Sequence, residues 1–190
     1  MTRKARTDAE HNRRHIVAVA RAAFAADGLD LPVHEIARRA GLGVATVYRH
    51  FPSRQDLVGA VLTEQVAVCG AQMRAALDDP DPWRALRVTV HRFADNQVRH
   101  RGLNEALLGS HPAGAAFAGQ RRAQARRLER LVERARSAGG VRPGLSAEDV
   151  RIGLRAIASF RAGSPESGAA AVRRLADLLV AGMSRPGVSP

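Results

Sequence analysis

A chain of 190 residues with 45% hydrophobic and only 4% aromatic residues is expected to form one or two compact units, with an Ala, Leu and Val core that favours helices over sheets. The single cysteine, Cys69, excludes an internal disulfide and a multi-cysteine zinc site, and no apolar run approaches the roughly 20 residues that span a bilayer, so a cytoplasmic protein with no membrane partner is expected. The formal net charge of +12 points to a polyanionic partner without locating it, because residues 1–62 hold ten basic against six acidic residues and the remainder twenty against twelve.

The first helix is expected to start near Thr7, whose hydroxyl caps it while Glu10 reaches back. Ile16, Ala20 and Phe24 recur every fourth residue on one face, beside Val19 and Ala23, and Asp27-Gly28 ends the helix. Pro32 suits the first turn of a second helix, which Gly41 closes. A third helix runs from about Val44 to His50 and stops at Pro52. Ser53 then caps a fourth, carrying Leu57, Val61, Val68, Met73 and Leu77, until the run Asp78-Asp79-Pro80-Asp81-Pro82. Residues 83–108 read as one long helix or as two joined at Arg101-Gly102. Next come a loop at 109–115, an arginine-rich helix over 117–138, a loop at 139–146 and a helix over 147–161. After a loop at 162–168, a last helix covers about 169–183, and the tail 184–190 is expected to be disordered. With no alternating strand pattern, the fold class is all-α, with about nine helices.

Residues 33–57, VHEIARRAGLGVATVYRHFPSRQDL, place a short helix, a glycine turn and a second short helix in immediate succession. That is the layout of a helix-turn-helix, whose second helix can lie in the DNA major groove. Ala37 is small where the helices cross, Gly41 permits the turn, and Ile36, Ala40, Leu42 and Val47 supply the apolar contacts. Tyr48, Arg49 and His50 then follow on the short third helix, unlike a core helix. An ordinary small bundle with a surface Tyr-Arg-His is the competing reading, and the whole run favours DNA.

The segment GLGVATVYRHFPSRQDL, with VHEIARRA before it, resembles the signature of the tetracycline-repressor (TetR) family of transcriptional regulators over about residues 8–65. The resemblance implies an all-helical homodimer, with an N-terminal three-helix domain (1–52) that reads a palindromic double-stranded DNA operator. It also implies a C-terminal helical domain (53–183) that holds a small-molecule effector and the dimer interface. Position by position, Thr46, Tyr48 and His50 match groups that grip phosphate, and Arg54, where the family usually has lysine, is expected to add a further phosphate contact at the start of helix four. Val44, Ala45 and Arg49 match positions that face base edges, with His34 at the start of helix two also able to enter the groove. Arg49 alone among them can make the two-pronged contact to guanine. Arg3, Lys4 and Arg6 are read either as an arm along the backbone or as a solvated tail. Pro32 and Gly43 depart from the family pattern by removing hydroxyls that could hold phosphate.

In the C-terminal part, Val150, Leu154 and Ile157 line one helical face and Val172, Leu175, Leu179 and Met183 another. As a monomer's core or as an interface the two stripes read equally well, and the resemblance assigns them to the dimer interface. Met73, Trp83, Phe93, Gln97, Leu108 and Phe117 could wall a ligand pocket, with His91 or Arg121 among the candidate polar handles. The arginines from Arg121 to Arg136 read as spread around their helix, usually a solvated surface, with an anionic ligand or nonspecific DNA contact as the alternatives. His11 and His15 have the spacing of helical metal ligands, but Arg13 and Arg14 lie between them and no third ligand is evident. Gly41-Leu42-Gly43 follows a helix rather than a strand, and there is no phosphate-binding loop or nucleophile elbow. No metal, cofactor or catalytic residue is therefore expected. The main expectation is a repressor released by a ligand. The alternative is a sequence-tolerant DNA-compacting protein using its arginine-rich surface.

Overall fold

The computed structural model describes residues 3–108, 112–161 and 165–185, and their side chains except at 3–6, 105, 106, 108, 112, 113, 165 and 166. The arm side chains of Arg3, Lys4 and Arg6, the pocket candidate Leu108 and the tail beyond residue 185 lie outside the described residues. The helices are α1 (Arg3–Asp27), α2 (Val33–Arg39), α3 (Val44–His50), α4 (Arg54–Asp78), α5 (Pro82–Arg99), α6 (Arg101–Leu108), α7 (Pro112–Ala115), α8 (Ala118–Ser137), α9 (Ala147–Ser159) and α10 (Pro165–Met183). The fold is all-α. Among the described residues the β pairing amounts to one isolated antiparallel bridge, Val141 to Ser184.

Several boundaries differ from expectation for local reasons. Helix α1 starts at Arg3, so Thr7 lies inside it rather than capping it; nothing in Arg-Lys-Ala-Arg breaks a helix upstream. The stretch 82–108 is two helices, α5 and α6, parted at His100. The expected loop at 109–115 contains the single turn α7, and α10 begins at Pro165, both with proline in the first helical position, where its missing N–H is no loss.

The chain forms two compact units, Met1–Ala67 with His100–Phe117, and Val68–Arg99 with Ala118–Pro190. In the first, Ile16, Ala20 and Phe24 of α1, Ile36 of α2, Val47 of α3, Leu57, Val61 and Leu62 of α4, and Leu103 of α6 are wholly buried together. The fourfold spacing read from α1 is thus its core face. Helix α6 reaches the end of α1 because residue 102 is glycine: a Cβ there would stand 2.6 Å from the Phe24 carbonyl oxygen and 3.2 Å from the Gly28 Cα.

The second unit is built on Leu86 and Val90 of α5, Leu131 and Val132 of α8, Val150 and Ile157 of α9, and Ala176, Val180 and Met183 of α10. Ser146 and Asp149 form a reciprocal capping box that starts α9. Gly140 lies flat on Trp83, where a Cβ would come within 2.5 Å of the tryptophan Cβ. Just past α10 the backbone is still tied down: the Ser184 N–H returns to the Val180 carbonyl, while the Arg142 N–H donates to that of Met183.

This core takes up four of the seven residues read as a dimer interface. Val150, Ile157, Val172 and Met183 are between 0 and 7% exposed within their own unit, so they have no surface left for a second copy. Leu154, Leu175 and Leu179 are half-buried against the same core. A one-sided apolar stripe records only that a helix buries that face, and here the subunit's own core covers most of it. Among the described residues, the large apolar side chains left exposed on α9 and α10 are Ile152, 57% exposed, and Leu178, 56% exposed.

Candidate nucleic-acid interface

Helices α2 and α3 are seven residues each, too short to persist alone, so their ends and anchors decide their geometry. Pro32 supplies an extended N-cap, with its carbonyl accepting from the N–H groups of Glu35 and Ile36. At the other end Gly41 takes φ +66°, a left-handed conformation open to glycine at little cost, and the Leu42 N–H returns to the Ala37 carbonyl at 3.0 Å. Gly43 caps α3 through its backbone alone, as its carbonyl accepts from Thr46 and Val47. Ser53 and Asp56 exchange hydrogen bonds at the start of α4: the Asp56 N–H donates to Ser53 Oγ, and the Ser53 N–H and hydroxyl donate to the Asp56 carboxylate.

Val47 is wholly buried, Phe51 is 2% exposed, and Ala37 is 1% exposed where the two short helices meet. With those residues facing in, the opposite side of α3 is open. Val44, Ala45, Tyr48 and Arg49 are exposed there, Thr46 and His50 are half-buried at its edges, and His34 is exposed at the start of α2. These are a cation, a hydroxyl and small apolar groups on one short helix, which suits the edges of base pairs flanked by phosphates.

Arg54 is placed differently from the other site residues. Its guanidinium donates to the Leu29 carbonyl and lies 3.4 Å from the Asp30 carboxylate, so it ties the start of α4 to the α1–α2 loop. Two further residues, which sequence reasoning missed, brace the reading helices from α1. His15 Nε2 donates to the Ala40 carbonyl at 3.0 Å, at the end of α2, and the Arg13 guanidinium sits 4.9 Å from the centre of the Phe51 ring, at the end of α3. Partners this far apart in sequence leave no periodic signal.

The basic end of α2 is internally compensated. Glu35 accepts two bonds from Arg38 and one from Arg39, and Arg39 also donates to Asp27. The Arg38 and then the Arg39 guanidinium hold the Glu35 carboxyl down at about 2, against an ordinary 4.5. A depressed folded-state value means a contribution to stability that is complete above about 4.5 and fades as the pH falls through about 2. Glu35→Gln is expected to remove it. Acid unfolding followed by circular dichroism should show the variant losing less stability than the parent across that window; parallel curves would refute the assignment.

The described pocket candidates are placed unit by unit. Phe117 belongs to the core of the first unit, whereas Trp83 and Gln97 are buried in the second, with Met73 and Phe93 packed on its core. His91 is exposed, 3.9 Å from Asp177, and Arg121 is half-buried. The Trp83 indole N–H is buried without a partner among the described residues, and Arg87 lies 5.7 Å from the ring centre.

Comparison with known proteins agrees with this geometry. Residues 16–61 match the family model of bacterial regulatory proteins of the tetR family, and residues 81–185 match that of the SbtR-like transcriptional regulator C-terminal domain. A TetR transcription regulatory protein from Mycobacterium vanbaalenii is 32% identical in sequence, with a TM-score of 0.70 over 95% of this chain and 99% of that one. A structure of SmeT in complex with triclosan, 20% identical, shares the fold with a TM-score of 0.66 over 95% of each chain. An HTH-type transcriptional regulator of Staphylococcus aureus strain USA300 is 31% identical over 104 residues; the chain spans about half the length, 56%, of that relative. The chain belongs to the TetR family of bacterial regulatory proteins, a family of non-enzymatic, DNA-binding transcription factors.

Proposed function

We propose that this protein is a transcriptional repressor that binds a palindromic operator as a homodimer and leaves it when a small molecule binds the C-terminal unit. The observation that carries the reading is the one-sided anchoring of α3. Val47 and Phe51 hold it to the core while Val44, Ala45, Tyr48 and Arg49 face outward. Val44 and Ala45 offer apolar contact, as to a thymine methyl; Arg49 reads guanine; Tyr48, Thr46, His50 and His34 hold phosphate or the groove wall. No hydrogen bond or ion pair engages the Arg49 side chain among the described residues, so its fork is available.

Two copies match two half-sites, and the exposed Ile152 and Leu178 are the apolar groups that α9 and α10 can offer a second subunit. The SmeT structure, which contains triclosan, supports small-molecule binding in this fold. Release requires that the ligand bind more tightly to a conformation with wrongly placed reading heads, since equal affinity for both shifts nothing.

The test is a comparison of affinities at physiological salt. A palindrome selected from randomised duplexes should bind at least about a thousandfold more tightly than random duplex of the same length. A ratio near unity would refute the repressor reading and favour the sequence-tolerant compacting protein.

A further inference from the structure

The C-terminal half of α4 and the outer face of α8 enclose an open cleft of about 1150 Å³ in the second unit, lined by Arg74, Leu77, Asp78, Ala123 and residues 126–134 of α8. Four of the α8 arginines that the sequence shows as spread around the helix, Arg126, Arg127, Arg130 and Arg134, line this one cleft. The buried side of α8, with Leu128, Leu131, Val132 and Ala135, faces the core instead.

Not all of these charges are spare. Arg134 donates to the carbonyls of Leu77 and Asp79 and so fastens the end of α4, while Arg127 donates to Gln124 at 3.3 Å. Of the carboxylates in the cleft, Glu129 pairs with Arg151 and Glu133 with Arg136, which leaves Asp78. No hydrogen bond or ion pair engages Arg74, Arg126 or Arg130 among the described residues. Three guanidiniums with no protein partner among the described residues therefore line one cleft from two helices, together with the apolar Leu77 and Ala123. Their mutual repulsion is relieved by an anion between them.

We propose that this cleft binds a small multivalent oxyanion, with two or more phosphate or carboxylate groups, gripped by Arg126 and Arg130 from α8 and by Arg74 from α4. Arg126 and Arg130 are one helical turn apart, about 6 Å along the axis, which sets the spacing of two anionic groups on one ligand. A guanidinium fork matches either oxyanion bidentately. The cleft is slightly larger than the usual small-molecule site, which leaves room for a ligand with several anionic groups. Asp78, Glu129 and Glu133 at its walls weigh against an extended polyanion such as duplex DNA. The site is independent of how the protein reads DNA.

The experiment is calorimetric titration of the full chain, without DNA, at constant ionic strength with inorganic tripolyphosphate, citrate and inorganic phosphate as probes. At least one of tripolyphosphate and citrate should saturate at one per chain below about 1 mM and bind at least about tenfold more tightly than phosphate. The tighter of the two identifies the ligand group as phosphate or carboxylate. Arg74→Ala and the double variant Arg126→Ala with Arg130→Ala should each weaken it at least about tenfold with unchanged helicity. Arg122→Ala, on α8 but outside the cleft lining, should leave it unchanged. Absence of saturable binding by both multivalent probes, phosphate binding as tightly as they do, or equal weakening by Arg122→Ala would each overturn the proposal.

Discussion

Phe24→Ala is expected to destabilise the first unit by about 3–5 kcal/mol, the usual cost of removing a buried aromatic ring. Phe24 is wholly buried among the side chains that hold α1, α2, α3 and α4 together, so its cavity opens directly behind the reading helices. Against a total stability of about 5–15 kcal/mol, that is enough to bring the unit near its threshold. Gly102→Ala reaches the same place by the opposite route. Its new Cβ would meet the Phe24 carbonyl oxygen at 2.6 Å, a backbone atom that no rotamer change can move, and a cost of about 1–3 kcal/mol follows. Because the obstacle is the carbonyl and not the ring, Phe24→Ala does not make room for the added methyl at position 102. The double variant should therefore lose at least as much as either single one. Thermal unfolding by circular dichroism reads all three, and a double variant more stable than Phe24→Ala would show that the contact has been misread.

Arg49→Ala and Arg54→Ala should separate on both DNA and stability. Loss of the Arg49 fork is expected to cost about 1–3 kcal/mol at one base-pair position of each half-site, relaxing the preference there with stability unchanged. Arg54 is half-buried and donates to the carbonyl of Leu29, itself 8% exposed, so its removal leaves a buried acceptor short of a donor. Arg54→Ala is expected to lower the stability of the first unit by about 1–3 kcal/mol and to weaken binding to all sequences alike. Paired measurement of unfolding and of affinity for single-position operator variants checks both. If Arg54→Ala leaves stability untouched while flattening the salt dependence of DNA binding, the arginine acts on phosphate and not on the loop.

The reading helices were legible because their signals are local. Gly41, Gly43, Pro52 and Ser53 each act within a few residues, and α3 begins at Val44 and ends at His50 as those residues dictate. Helix α1 was mistaken at its start because a capping pattern at Thr7 states where a helix can begin, and nothing before it forbids one. The braces from His15 and Arg13 could not be foreseen, because their partners lie 25 and 38 positions away and are met only when α1 packs on the motif.

By itself the sequence determined the helical class, the turn geometry of the motif and which side chains of α3 point away from its anchors, because caps, breakers and the helical period operate over a few residues. Tertiary packing alone decided what covers each face. It buried Val150, Ile157, Val172 and Met183 inside the subunit and left Ile152 and Leu178 outside. It turned Arg54 onto a loop carbonyl, and it set four arginines of α8 opposite the end of α4. Periodicity says which residues share a face, but the neighbour that meets that face comes from distant sequence, and only that neighbour makes it core, surface or site.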